Sequence, residues 1–209
     1  MTLRLNGSTS GYTEIDAPAV AGSNTLVLPG GNGSADQALV TNGSGTLSFA
    51  DRGRIVQGTA QNSTSGTSID FTGIPSWVKR VTVMFQGVST NGTTNVRLQL
   101  GTSSGVTTSG YLAASSTIVA SVATVASTSG FDFWEPGSAA SVRHGSVVFS
   151  LLGSNAWVAN GGIIYSDSAR TCTLFGSIAL SGTLDRIRIT TVNGTDAFDA
   201  GSINILYEG

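Results

Sequence analysis

A single histidine, His144, stands in SVRHGS, so any Ser-His-Asp relay in this 209-residue chain would have to be built around it. The neighbouring Gly145-Ser146 is not embedded in a Gly-x-Ser-x-Gly elbow, the turn that lifts a nucleophilic hydroxyl clear of a sheet, and His144 reads as a surface or loop residue. Cys172 is the only cysteine, which excludes an intrachain disulfide and a cysteine-based zinc site; in TCTLF it reads as a small buried hydrophobe. Glycoside hydrolysis needs two carboxyl groups roughly 5–9.5 Å apart. The three glutamates, Glu14, Glu135 and Glu208, are far apart in sequence, and nothing in their spacing brings two together. Asp196 and Asp199 in NGTDAFDAG lack the alternating ligands and terminal glutamate of a calcium loop, and a turn held by Asx hydrogen bonds is expected instead. The glycine-rich LPGGNGSAD opens no helix after a strand, and no GxxxxGK[ST] occurs, so a phosphate cradle lacks its context. The sequence therefore nominates no catalytic, cofactor-binding or metal-ligating residue and no cofactor, and an enzyme is not expected.

Recognition chemistry is the alternative. Trp77, Trp134 and Trp157, with Tyr111, Tyr165 and Tyr207, are the side chains best able to stack on a sugar or anchor an interface. Trp77 in IPSWVKR precedes a strand and reads as structural. Trp134, in GFDFWEPGS beside Pro136-Gly137, reads as the exposed aromatic of a loop. Together with Asn160 and Tyr165 it forms the candidate receptor-facing set.

Composition bounds the class. Twenty-eight glycines are nearly twice the usual share, and charged residues at 11% fall well short of the ordinary ~25%. Hydrophobic residues at 40% are enough for a sizeable core, so the chain is not of the charged, disordered kind. Ten scattered Lys and Arg against twelve Asp and Glu argue against a nucleic-acid surface. The most apolar stretch, Ile118 to Ala126, is far shorter than the ~20 residues of a membrane helix. MTLRLNGSTSGYTEID turns polar too early for a secretion signal, so the Asn-Gly-Ser and Asn-Gly-Thr triplets are expected to be turns rather than glycosylation sites.

The elements that would carry any site are strands. Asn-Gly recurs at Asn6, Asn32, Asn42, Asn91, Asn160 and Asn193, the dipeptide that tolerates the positive φ of a type I′ turn, so hairpins are the expected unit. The clearest expected hairpin runs from Val78 to Gly101: Val81, Val83 and Phe85 alternate on one side of STNGTT, and Val96, Leu98 and Leu100 on the other. Further strands are predicted at 146–152, 156–159, 162–166, 170–180, 184–192 and 203–208, a spacing that suits an all-β antiparallel sandwich of jelly-roll type. In LDRIRITTV, Ile187, Ile189 and Thr191 share one face and Arg186, Arg188 and Thr190 the other, a sheet wet on one side. Tyr111 to Val125 is read as loop and strand, because its β-branched residues disfavour a helix. Residues 1–52 hold only short apolar clusters and are expected to need copies of themselves or a partner surface to order. Two domains are expected, an extended, short-stranded segment at 1–52 and a β-sandwich at 53–209.

Two blocks carry a resemblance. MTLRLNGSTSGYTEIDAPAVAGSNTLVLPGGNGSADQALVTNGSGTLSFAD resembles the N-terminal segment of tail-fibre-like structural proteins of tailed phages, notably those of cyanobacteria and marine bacteria. FTGIPSWVKRVTVMFQGVSTNG, RLQLG, SGY, TSGF and LSGTLDRIRITTVNGTDAFDAGSINILYEG are similar to a domain found at the ends of phage fibres. The resemblance implies a homotrimeric virion protein made in the host cytoplasm. Its residues 1–52 would attach to other virion proteins and trimerise, with Leu3, Leu5, Tyr12, Ile15, Leu26 and Leu28 as candidate attachment side chains. Its sandwich would meet a host surface polysaccharide, without entering the membrane. A chain with room for an anchor and one head but almost no shaft also leaves open a head fibre or capsid decoration protein that stabilises the shell.

Overall fold

The computed structural model describes residues 3–20, 22–35, 37–118, 122–135 and 138–209, and among them it is all-β and antiparallel, with no helix. It divides into two compact units, Met1–Arg52 and Gly53–Gly209.

The first unit consists of two hairpins. Strand β1 (Leu3–Asn6) pairs with β2 (Tyr12–Ile15), and β3 (Gln37–Thr41) pairs with β4 (Leu47–Asp51) around Asn42-Gly43, whose glycine has φ 83°. Asn42 Oδ1 accepts from the Ser44 and Thr46 amides and closes that turn. No apolar side chain of this unit is buried among the described residues: a few short strands bring too little apolar surface together to make a core.

The second unit is a sandwich. Its strands are β5 (Ile55–Gln57), β6 (Gln61–Asn62), β7 (Ser68–Thr72), β8 (Arg80–Thr90), β9 (Val96–Thr102), β10 (Gly105–Val106), β11 (Leu112–Ile118), β12 (Val122–Ser127), β13 (Phe131–Asp132), β14 (Arg143–Gly153), β15 (Ala156–Tyr165), β16 (Arg170–Ala179), β17 (Arg186–Thr191) and β18 (Phe198–Glu208). A nine-stranded sheet runs β12-β11-β16-β15-β14-β8-β18-β5, with β6 also on β18. A five-stranded sheet runs β10-β9-β17-β7, with β13 also on β9. The core lies between them: Val81, Val83, Phe149, Trp157 and Leu174 from the large sheet meet Leu98, Leu100, Ile187 and Ile189 from the small one. Phe131 joins the layers, edge-on to Tyr111 at 5.1 Å and tilted against Phe149 at 5.3 Å.

The expected hairpin at 78–101 is corrected. Strands β8 and β9 alternate as read, but they belong to different sheets, and residues 91–95 cross between the layers. Alternation shows that a strand has one buried face and is silent on whether the next strand lies beside it or across the core. The crossing is tied to the second one, between β17 and β18: Asp196 accepts from the Thr94 amide at 3.0 Å and hydroxyl at 2.8 Å, and the Ala197 amide donates to Asn91 Oδ1 at 2.9 Å. Asn193 Oδ1 in turn accepts from the Thr195 and Asp196 amides, so the expected Asx turn is present.

Asn160-Gly161 is not a turn either. It lies within β15, and the turn joining β14 to β15 is Ser154-Asn155, both with positive φ (48° and 62°). Glycines form a diagonal across the large sheet, Gly176 in β16, Gly161 in β15 and Gly145 in β14, each two residues out of register with the last. It continues to facing bulge positions Gly87 (φ 66°) and Gly201 (φ 91°) in β8 and β18. A Cβ on Gly161 would lie 2.4 Å from Ser146 O, and one on Gly176 2.5 Å from Leu112 O. Missing side chains along one diagonal let neighbouring backbones approach closely there. Tyr111 to Val125 contains β11 and β12, paired antiparallel, and residues 119–121 between them lie outside the described residues.

Candidate interaction surface

The two outer faces of the sandwich differ in charge. On the small sheet the outward row from β17 carries Arg186 and Arg188, flanked by Asp70 of β7 and Arg97 of β9. Arg188 grips Asp70 through two bonds of 2.8 Å, and Arg97 grips Asp132 at 2.7 and 2.8 Å. These hydrogen bonds hold the Arg97 and Arg188 guanidiniums above their usual pKa. The Arg188–Asp70 fork lies at a part-exposed surface that suits contact with water, whereas the Arg97–Asp132 fork is largely covered and Asp132 is buried.

The large sheet is the opposite. Its outward positions on β12, β11, β16 and β15 are Val122, Thr124 and Ala126; Leu112, Ala114, Ser116 and Ile118; Thr171, Thr173, Phe175 and Ser177; Val158, Asn160, Gly162 and Ile164. None of these fifteen residues carries a charge. Six are large and apolar, with Leu112 73%, Val122 66%, Phe175 58%, Ile118 54%, Ile164 51% and Val158 39% exposed. Covering such a residue is worth roughly 1–2 kcal/mol, given its partial exposure. Beyond β15 the row continues through His144, Ser146, Val148 and Ser150 of β14, with His144 opposite Ile164. The Arg80–Glu208 pair lies further on, at one end of β8 and β18. At the other border the outer edge of β12, VATVAS, is unpaired among the described residues and has none of the lysines, prolines or bulges that usually blunt an edge strand.

The attachment candidates of the first unit sort by register. Leu3 lies opposite Ile15 and Leu5 opposite Thr13, so alternation puts Leu3, Leu5 and Ile15 on one face of the hairpin. Arg4, Glu14 and Tyr12 occupy the other, where Arg4 pairs with Glu14 and lies 4.0 Å over the Tyr12 ring. Leu3, Leu5 and Ile15 thus form one uncovered apolar strip, each more than half exposed, and Tyr12 is not part of it. Leu26 and Leu28 are also exposed and flank Val27, which bridges to Thr46.

The receptor-facing candidates do not come together. Tyr165 is corrected: it is 2% exposed, its hydroxyl donates to Trp134 O at 3.2 Å, and Arg170 lies 4.7 Å over its ring, with burial pushing its pKa up. The alternation that buries Cys172 in β16 also turns Tyr165 inward in β15. Trp134 is half-buried, held by its amide to Ser115 Oγ at 3.1 Å. Asn160 is exposed, next to Phe175 across the ladder, and so belongs to the uncharged face rather than to a loop.

Sequence reading passed over the buried ion pair Glu135–Arg143, both side chains fully buried. Arg143 also donates to Val88 O and Ser141 O, while Arg170 bonds Asp167 and Ser141 Oγ beside it. Burial raises the Glu135 pKa, opposed by Arg143. Glu135 Oε2 and Arg143 Nε have no partner among the described residues. The cluster fastens the segment after β13 to the start of β14. His144 is half-buried, with Nδ1 accepting from the Gly87 amide and Nε2 3.3 Å from Ser166 Oγ, so no acid stands behind it in a relay. Burial also raises the Cys172 thiol, away from reactivity. No group of three metal-ligating side chains occurs among the described residues. A cleft of about 520 Å³ brings Arg54, Lys79, Arg80 and Glu208 together at the chain's end, with Arg80 committed to Glu208. Comparison with protein families, curated proteins and solved structures gave no match.

Proposed function

We propose that this chain is a virion structural protein of a tailed phage, a short homotrimeric tail fibre whose first unit attaches to the particle and whose sandwich contacts the host cell surface. The observation that carries the reading is the uncovered strip of Leu3, Leu5 and Ile15 on a two-stranded hairpin with no buried apolar residue among the described residues of its unit. Such a hairpin is marginal alone and gains stability when another surface covers it. The sequence blocks that resemble phage fibre termini point the same way, and the trimer comes from that resemblance. Host recognition of this kind is multivalent: three weak glycan contacts on one particle gain avidity through effective concentration.

Adsorption tests the recognition half. The purified full chain is expected to bind susceptible cells and to slow phage adsorption to them; failure of both removes the receptor role. Leu3→Asp with Leu5→Asp tests the attachment half, with virions expected to assemble lacking the protein. Normal incorporation of the double variant would overturn the role given to the hairpin.

A further inference from the structure

We infer that the uncharged outer face of β12, β11, β16 and β15, with the open edge of β12, is the surface through which copies of this chain pack against one another. This deepens the fibre reading by naming the partner of that face, and it rests on that reading for the number of copies.

Three observations lead to a second copy rather than another partner. The fifteen outward positions are without charge, while the opposite outer face carries the part-exposed Arg188–Asp70 pair and the charge of the large sheet stays at its far end in Arg80–Glu208, so these four strands are the stretch least made for water. A neutral face gives no electrostatic handle to an anionic polymer or a charged protein, whereas neutral against neutral leaves no buried charge unpaired. Fifteen residues are half to three quarters of the roughly twenty to thirty per side in a stable interface, and His144, Ser146, Val148 and Ser150 extend the patch. The third observation is β12 itself. An unblunted, apolar six-residue edge is an aggregation hazard unless covered, and a copy bound to this border of the sheet would cover edge and face together. Phe175, flanked by Ala114 and Asn160, is the one aromatic on the face and its expected anchor.

The test is the mass of the full-length chain by sedimentation or light scattering across micromolar concentrations, comparing wild type with Phe175→Lys, Ile164→Lys and a control on the other face, Arg188→Gln. Circular dichroism establishes that each variant is folded, and these positions are exposed enough to accept lysine. Wild type and the control are expected to be oligomeric, with either lysine variant raising the self-dissociation constant about a hundredfold. An oligomeric wild type whose lysine variants keep the same mass overturns the assignment of this face and leaves the fibre reading standing. A monomeric wild type overturns the inference outright, while attachment through the first unit is decided separately by incorporation into virions. Loss of binding to host polysaccharide by Phe175→Lys with mass unchanged would make the face a glycan site and likewise overturn it.

Discussion

Gly161 is the position where one methyl group should cost most. It lies in mid-strand with no left-handed φ, so an alanine there meets no torsional penalty, and its effect is steric alone. The added Cβ would lie 2.4 Å from Ser146 O, 2.6 Å from Val147 Cα and 3.1 Å from Val147 Cγ2, about 1 Å inside ordinary contact, and two of the three atoms are backbone. Relief requires β14 and β15 to part at the centre of the large sheet, where overpacking costs about 1–3 kcal/mol; backbone obstruction places this case at about 2–3 kcal/mol. Gly162, the next residue, faces outward and offers the internal control: its Cβ would meet Cys172 O at 3.1 Å and otherwise only Thr173 Cγ2 at 3.9 Å. There the lower entropy of the unfolded chain, worth about 0.4–1 kcal/mol, offsets a small adjustment. Urea unfolding at one fixed protein concentration should show Gly161→Ala destabilised by about 2–3 kcal/mol, equivalent to roughly 4–12 °C in melting temperature, with Gly162→Ala near wild type. Equal losses at the two positions, or a Gly161→Ala loss below about 0.5 kcal/mol, would refute the view that the glycine diagonal is there for close backbone approach.

Tyr111 bridges the layers, its hydroxyl accepting from the Leu100 amide at 2.9 Å and donating to Thr107 O at 2.9 Å; Tyr111→Phe strands both groups and should cost about 2–4 kcal/mol in urea unfolding. Burial pushes that hydroxyl's pKa up to about 12, so its contribution is complete below the ordinary tyrosine range near 10 and is lost as pH rises through about 12. An alkaline unfolding limb reduced in Tyr111→Phe would show it. Glu135→Ala leaves Arg143 buried without its carboxylate and should destabilise by about 3–5 kcal/mol, whereas Glu135→Leu with Arg143→Met should recover most of the loss in the same assay. Asp196 is held below the ordinary aspartate pKa, first by the Asn193 side-chain amide and then by Thr94, so its contribution is present above that range and lost as pH falls below it. Asp196→Asn should flatten the acid limb of the stability profile, and hydrogen exchange should quicken in residues 91–95.

The strands were legible because burial of one face writes period two into a sequence: β17 has its isoleucines inside and its arginines outside as read, and the all-β antiparallel class follows from many such segments. Pairing was not legible, since β8 and β9 would alternate identically as a hairpin or across a core. Asn-Gly misled at Asn160 because glycine serves close backbone approach as well as turns, and only the neighbouring strands tell which. Tyr165 was misplaced for a related reason: reading Asn160-Gly161 as a turn ended one strand before the alternation that buries Tyr165 could be followed through. The uncharged face emerges only once β11, β12, β15 and β16 are laid in register, because no one of them is unusual alone. Leu3, Leu5 and Ile15 were visible as apolar residues, but that they form one strip without Tyr12 is a matter of register.

Single-particle imaging of the intact virion, locating this chain and counting its copies, bears most directly on the proposed role. Threefold groups projecting from the tail or baseplate, held at residues 1–52 with the sandwiches outermost, are the predicted result. Copies spread over the capsid lattice would contradict it and make the chain a head fibre or shell-decorating protein.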